Sequence, residues 1–342
     1  SSDMTELEKV TAYGNIYLYS LIVPIISVSG IFLSYFNQQK RYKLLISNGI
    51  NPVKAANIIF NIPEVTKPNL LIIIGSIFFV IFTLLVGTSK MALSQEIVFV
   101  GSFMIILFLL FKLSNELDAN AKKMLIGTAI IIFVFRAMPG VGQGGSWFEI
   151  DVLGFDQEFL SLLGLIASFL TILGIFVLRP LMEKSSMTRL IVILSIAGSF
   201  FILPSIAMFY GFHEFTSKLT NGLVDARFIA IFNTALESPL GQVSMIPILA
   251  WIAQSAPNHL KATFFAVLAS FTNLALSASN LGTKYLNQIY VITREVKNDL
   301  GIIKTPADYS ELGILLIIVC ALTLIIPILV TYIVKKLKLL SY

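Results

Sequence analysis

Runs of about 20 residues that are apolar on every face recur along the chain, and charged residues gather in the stretches between them. At 1.5 Å per residue, such a run crosses the hydrocarbon core of a bilayer as one helix. LLIIIGSIFFVIFTLLVG, from Leu70, is the plainest case. The pattern predicts nine spans, at about 14–36, 69–88, 95–111, 124–140, 157–179, 188–211, 227–253, 260–283 and 312–334. A transmembrane β-barrel would need shorter segments alternating apolar and polar residues, and these runs do not alternate. The predicted fold is therefore an all-α integral membrane bundle. Between the first two spans, residues 37–68 interleave apolar positions with Lys40, Arg41 and Lys43. Pro52 and Pro63 bracket a stretch there that is expected to lie on the membrane surface as an amphipathic helix.

Composition agrees with that reading. Of 342 residues, 56% are hydrophobic and only 13% charged, with a mean hydropathy of +0.87; soluble domains carry roughly 25% charged residues. The net charge of +5 could point to nucleic acid in a soluble chain, but here it follows from basic loops, and no nucleic-acid partner is expected. Of the 24 Lys and Arg residues, 15 fall in one set of alternate connections and 8 in the other, which places the carboxyl terminus in the cytoplasm and the first residues outside. With an outside start and no signal peptide ahead of the first span, the chain is expected to lack its natural beginning. The single cysteine, Cys320, excludes an intrachain disulfide and is expected to be a packed or lipid-facing small residue. His213 and His259 stand in no metal-ligand spacing, so neither metal nor cofactor is expected. No Walker loop, GxSxG or strand-linked glycine fingerprint is present, which argues against an enzyme.

Polar residues inside the spans are the informative ones, since a central charge costs roughly 2.5–3.5 kcal/mol on insertion scales. Arg136 ends an apolar run just before the break MPGVGQGG. Its guanidinium either snorkels to the outer headgroups or binds an anion at the end of a cavity. The break is either a flexible outer loop or a bend that opens and closes the span. Beyond it, Trp147 and Phe148 read as interfacial anchors, and Glu149 and Asp151 as solvated. Asp225 and Arg227 read as a surface pair at the outer edge of the 227–253 span. Deeper in that span, Asn233, Glu237 and Gln242 surround Pro239, where a kink is expected. Glu237 is a proton-coupling carboxyl, a structural group in a hydrogen bond or ion pair with Arg136, or a residue lying shallower in the membrane than its place in the run suggests. In the next span, Ala266, Ala269, Ser270, Asn273, Ser277 and Asn280 step by three and four and so form one helical stripe. Small residues there serve close helix packing, while Asn273 and Asn280 exceed that need and would offer a polar ring hydrogen-bonding groups in a wet cavity.

RAMPGVGQGGSWFEIDVLGF with the turn RPLMEKSSMTR, and more specifically MIPILAWIAQSAPNHLKATFFAVLASFTNLALSASNLG, resemble the folate-biopterin transporter family of the major facilitator superfamily, over about residues 136–324. Lys261 stands where that family usually carries a glutamate. The resemblance implies a carboxyl-terminal six-helix bundle over 124–342, a cytoplasmic linker at 112–123, and in 1–111 the end of an amino-terminal bundle short of about three spans. It implies import of a folate or pterin with protons by alternating access, with the bilayer as the other partner. Arg136, Asn233, Gln242, Ser270, Asn273 and Asn280 would contact substrate, Glu237 would couple protons, and Arg179, Lys184 and Arg189 would form an inner gate or mark topology. The alternatives are a transporter of another solute, such as a peptide, muropeptide or nucleotide, and a membrane scaffold that transports nothing. Compact loops and a composition rich in Lys, Ile and Asn suggest a bacterial inner membrane.

Overall fold

The computed structural model describes residues 6–60, 70–89, 91, 93–256, 261–297 and 302–339, so Pro63 and His259 lie outside the described residues. The chain divides into two compact units, residues 1–67 and 68–342.

In the first unit, α1 (Glu6–Ser20) leads into α2 (Ile22–Ser47), and a turn connects to α3 (Pro52–Phe60). The span expected to end near residue 36 instead continues through Lys40, Arg41 and Lys43 to Ser47. The surface helix is correspondingly shorter. Pro52 begins α3, where its fixed φ suits a first turn and its missing N–H costs nothing. Ahead of it, the Asn51 side chain accepts the Val53 N–H at 2.9 Å. Tyr42 and Phe60 bring their rings within 5.5 Å, folding α3 back on α2.

The second unit holds α4 (Leu70–Gly87), α5 (Ser94–Ser114), α6 (Ala119–Arg136), α7 (Gln143–Asp151), α8 (Gln157–Val177), α9 (Arg179–Lys184), α10 (Met187–Phe209), α11 (Phe212–Leu219), α12 (Ala226–Glu237), α13 (Met245–Ser255), α14 (Lys261–Ile289) and α15 (Leu312–Lys336). Asp118, Asp156, Ser186 and Asp225 each accept a backbone N–H in the first turn of α6, α8, α10 and α12, at 2.6–3.3 Å. These caps explain why the helices start where they do. Among the described residues, six stretches are long and apolar enough to cross a membrane: Gly14–Ser47, Ser94–Ser114, Gln157–Val177, Met187–Phe209, Lys261–Ile289 and Leu312–Lys336. Their outward faces stay apolar, as Phe169 (63% exposed) and Phe176 (72% exposed) on α8 illustrate. The molecule is a multi-pass membrane helical bundle.

The central core joins α5, α6, α10, α13, α14 and α15 around Ile132, Ile252, Phe264 and Leu268, all fully buried. Lipid tails are as apolar as these side chains, so the core holds through close packing more than through removal from water. α10 and α15 are also tied by a reciprocal pair of bonds: Ser199 Oγ donates to the Cys320 carbonyl at 3.3 Å, and Cys320 Sγ donates to the Ser199 carbonyl at 3.4 Å. Cys320 is thus a packed residue of the α10–α15 contact.

Two expectations are corrected. The single span at 227–253 is interrupted: α12 gives way at Glu237 to a 3₁₀ turn (Ser238–Leu240) and a run of hydrogen-bonded turns up to Ser244 before α13 begins. A simple kink at Pro239 does not describe this, because the proline is followed by a further run of turns rather than by resumed helix. Thr171 Oγ1 on α8 donates at 2.9 Å to the Ser238 carbonyl, which also accepts the Gly241 N–H at 3.0 Å, and so ties α8 to the turn. The long outer connection after the span at 260–283 is also shorter than expected. α14 runs on to Ile289, and β1 (Val296–Lys297) pairs antiparallel with β2 (Ile303–Thr305) beyond it.

Candidate functional site

α14 carries two polar stripes. The first, Ser270, Asn273, Ser277, Asn280 and Lys284, advances by three and four and lines a cavity of about 890 Å³ between α4, α5 and α14. From α4 and α5 the lining includes Phe79 and Phe99 together with Thr83, Gln95 and Ser102. Amides and aromatic rings thus share one cavity, a lining suited to a flat heteroaromatic ligand with edge donors and acceptors. Ser270 returns its hydroxyl to the Ala266 carbonyl at 2.8 Å. Asn273 and Asn280 make no hydrogen bond within the chain among the described residues, and the buried Thr83 hydroxyl on the α4 wall has no partner there either. The volume falls within the roughly 300–1,000 Å³ usual for small-molecule sites.

The second stripe, Ser279, Thr283 and Asn287, has no counterpart among the sequence expectations and serves a different use. Ser279 Oγ donates to the Met138 carbonyl at 2.6 Å, Thr283 Oγ1 accepts the Gly140 N–H at 2.8 Å, and Asn287 Nδ2 donates to the Val141 carbonyl at 3.1 Å. The glycine-rich break is therefore clamped along α14 and leads into α7. Gly142 has φ +79°, and a Cβ there would meet the Asn287 amide, so the close approach requires glycine on both counts.

The remaining candidates lie elsewhere. Asn233 and Glu237 line a separate cavity of about 380 Å³ with Ser205 and Glu149. Glu149, expected to be solvated, is half-buried because α7 turns back toward the bundle, and this burial pushes its carboxyl above the ordinary range. Arg136 forms no ion pair with Glu237 among the described residues; its Nη1 donates to Met245 Sδ at 3.3 Å, at the start of α13. Its buried Nε has no partner among the described residues. Gln242 sits in the turn between α12 and α13. Arg179 pairs with Glu183 inside α9 at 2.7 Å, both exposed, and no ion pair joins Arg179, Lys184 or Arg189 to another helix among the described residues. Asp225 and Arg227 do not pair with each other. Asp225 caps α12, while Arg227 reaches Asp156 at 2.7 Å and stacks over Phe159. Among the described residues, no group of three His, Cys, Asp or Glu side chains could hold a metal ion.

Cys320, Arg136, the α12–α13 break and the α14 stripes all fall within residues 110–341, the stretch matched by the model of the BT1 family. The chain belongs to the BT1 family. Within the curated proteins, it is similar to a folate-biopterin transporter of Synechocystis sp., 21% identical over 154 residues. That match covers 45% of this chain and 30% of the relative. No solved structure matches the chain significantly.

Outside the spans, the BT1 chain fastens its β-hairpin to the end of α7. Arg294 forks onto Asp151 with bonds of 2.8 and 2.7 Å, and the Tyr309 hydroxyl donates to the same carboxylate at 2.7 Å. Asp151 is thus a clamped group and not a freely solvated one. The Arg294 bond first, and the Tyr309 bond second, hold its carboxyl below the usual range. Burial first, and Asp151 second, push the Tyr309 phenol up to about 12. The depressed Asp151 contributes stability above its unfolded value, near 3.9, and loses it as pH falls through the lower folded value. The raised Tyr309 contributes fully below its unfolded value, near 10, and loses it as pH rises through the folded one. Asp151→Asn is expected to speed proteolysis within the hairpin several-fold at neutral pH. Wild type should show comparable cleavage only on acidification below about pH 4, read with an acid-tolerant protease.

Proposed function

We propose that this chain is part of a secondary transporter that moves a folate or pterin-like solute by alternating access within a major facilitator fold. The observation that carries the reading is a cavity of about 890 Å³ lined by Asn273, Ser277 and Asn280 from α14 and by Phe79 and Phe99 from α4 and α5. A pteridine matches both kinds of group, with flat faces for the rings and edge donors and acceptors for the amides. The BT1 family membership and the folate-biopterin transporter among its relatives support the same substrate class. In this proposal nine spans are grouped as 1–111, a linker at 112–123 and a six-helix bundle at 124–342, with the carboxyl terminus in the cytoplasm of a bacterial inner membrane.

The broken helix supplies the moving part. Discontinuous spans are where transporters gather ligand and ion sites, because the freed backbone lines a cavity. Glu237 ends α12 at that break and shares its cavity with Glu149, so the proton-coupling role falls to this pair of carboxyls. Arg136, which ends α6 and reaches Met245 at the α13 start, and Gln242, in the turn before it, are assigned to receive ligand polarity as the half-helices shift. Arg179, Lys184 and Arg189 are assigned to topology.

Uptake of radiolabelled folate and a neutral pterin into vesicles, with and without an inward proton gradient, tests the proposal. Glu237→Gln is expected to abolish gradient-driven accumulation while leaving exchange of labelled for unlabelled substrate, since exchange needs no net proton movement. Arg136→Ala is expected to weaken uptake about tenfold. Wild-type vesicles that take up neither compound would overturn the assigned substrate class.

A further inference from the structure

Lys284 lies at the end of the cavity-lining stripe, where α14 meets the first turn of α5. Its ammonium donates to Glu96 Oε1 at 2.6 Å, and the Tyr285 hydroxyl donates to the same oxygen at 2.9 Å. Both donors crowd onto one carboxylate oxygen, while the buried Glu96 Oε2 has no partner among the described residues. An ammonium has three N–H donors, and among the described residues Glu96 takes one of Lys284's. The lysine side chain keeps 34% of its surface exposed and forms part of the cavity wall. A cation with unused donors therefore faces an open volume, held in place by a carboxylate that uses only half its capacity.

We propose that Lys284 is an anion subsite for the carboxylate of an elongated ligand, and that Glu96 occupies it as an internal substitute until the ligand arrives. This rests on the pterin reading of the same cavity and extends it to the ligand's far end. Asn273 and Lys284 lie eleven residues apart on one helical face, a rise of about 16 Å. A ligand with a flat ring at the amides and a carboxylate at the lysine spans that interval. The exchange is feasible because Glu96 does not depend on Lys284 alone. It lies in the first turn of α5, where the helix dipole favours a negative charge, and it keeps the Tyr285 hydroxyl when the ammonium turns to the ligand.

The subsite predicts discrimination by charge. Binding to the purified full chain is measured for three radiolabelled probes: folate, a neutral pterin, and benzoylglutamate, which carries the carboxylates without the pterin ring. Lys284→Gln is expected to weaken folate and benzoylglutamate by about ten- to a hundredfold, while the neutral pterin changes by less than about twofold. Unchanged pterin binding also serves as the control for folding. Glu96→Gln removes the competing carboxylate and is expected to tighten folate binding by about three- to tenfold. If Lys284→Gln weakens none of the three probes, or weakens all three alike while its thermal unfolding matches wild type, the subsite is wrong and the pterin reading stands. If wild type binds benzoylglutamate in a Lys284-dependent way but not the neutral pterin, the subsite stands and the pterin reading falls. Wild type binding none of the three overturns both.

Discussion

Gly174→Ala is expected to lower the apparent Tm of the detergent-solubilised protein by about 5–10 °C, from an overpacking cost at the upper end of the usual 1–3 kcal/mol. A Cβ at Gly174 on α8 would collide with the Pro239 carbonyl oxygen, Cα and carbonyl carbon. All three are backbone atoms, so no rotamer change relieves the clash. The neighbouring Thr171–Ser238 bond ties the same two segments and resists their separation. Gly164, on the same helix, has nothing within 4 Å of its Cβ position. Gly164→Ala should therefore be neutral or slightly stabilising, by up to about 1 kcal/mol from the helix preference of alanine. The pair separates the local contact from any general effect of helix stiffening. Equal Tm values for the two variants would mean that α8 does not pack against the break as described.

That contact also shows where periodicity stops being informative. Hydropathy over 227–253 is continuous, so a window sees one helix, yet the α-helix is interrupted for seven residues. Pro239 is a visible cue for a kink, but the extent of the break depends on α8 supplying a glycine and a hydroxyl from more than sixty residues away. Long-range partners of this kind leave no local pattern. The same holds for Arg227, which looks paired with the nearby Asp225 but reaches Asp156.

The α14 stripe is readable because it follows from helical geometry alone. Steps of three and four place Ser270, Asn273 and Asn280 on one face whatever surrounds them, and that face lines the cavity. Lys284 continues the same steps, from 280 to 284, and carries the same signal. It escapes notice because a lysine at the edge of an apolar window reads as the start of a loop, whereas α14 continues to Ile289. Glu149 misleads for the converse reason. A carboxylate after a glycine-rich break reads as solvated unless the nine-residue α7 that carries it back is known. Spacing thus places polar residues on one face where the helix is continuous, as in α14, but not across the α12–α13 break, where Gln242 falls in a turn.

The sharpest functional expectation concerns the two amides. Asn273→Leu and Asn280→Leu are each expected to weaken pterin binding about tenfold, the effect of losing one or two well-placed hydrogen bonds. The positions are seven residues apart, a rise of about 10 Å, so their effects should add and the double variant should lose about a hundredfold. Stability should move the other way. Neither amide makes a hydrogen bond within the chain among the described residues, so replacing it leaves no partner stranded. Leucine is also cheaper than asparagine at membrane depth, so the apparent Tm should hold or rise. Lost binding with preserved stability is the signature of groups kept for a ligand. Equilibrium binding of the labelled pterin, alongside thermal unfolding of the same preparations, reads both quantities. Retained binding in the double variant would place the ring elsewhere in the bundle, and a parallel loss of stability would make the stripe a packing seam.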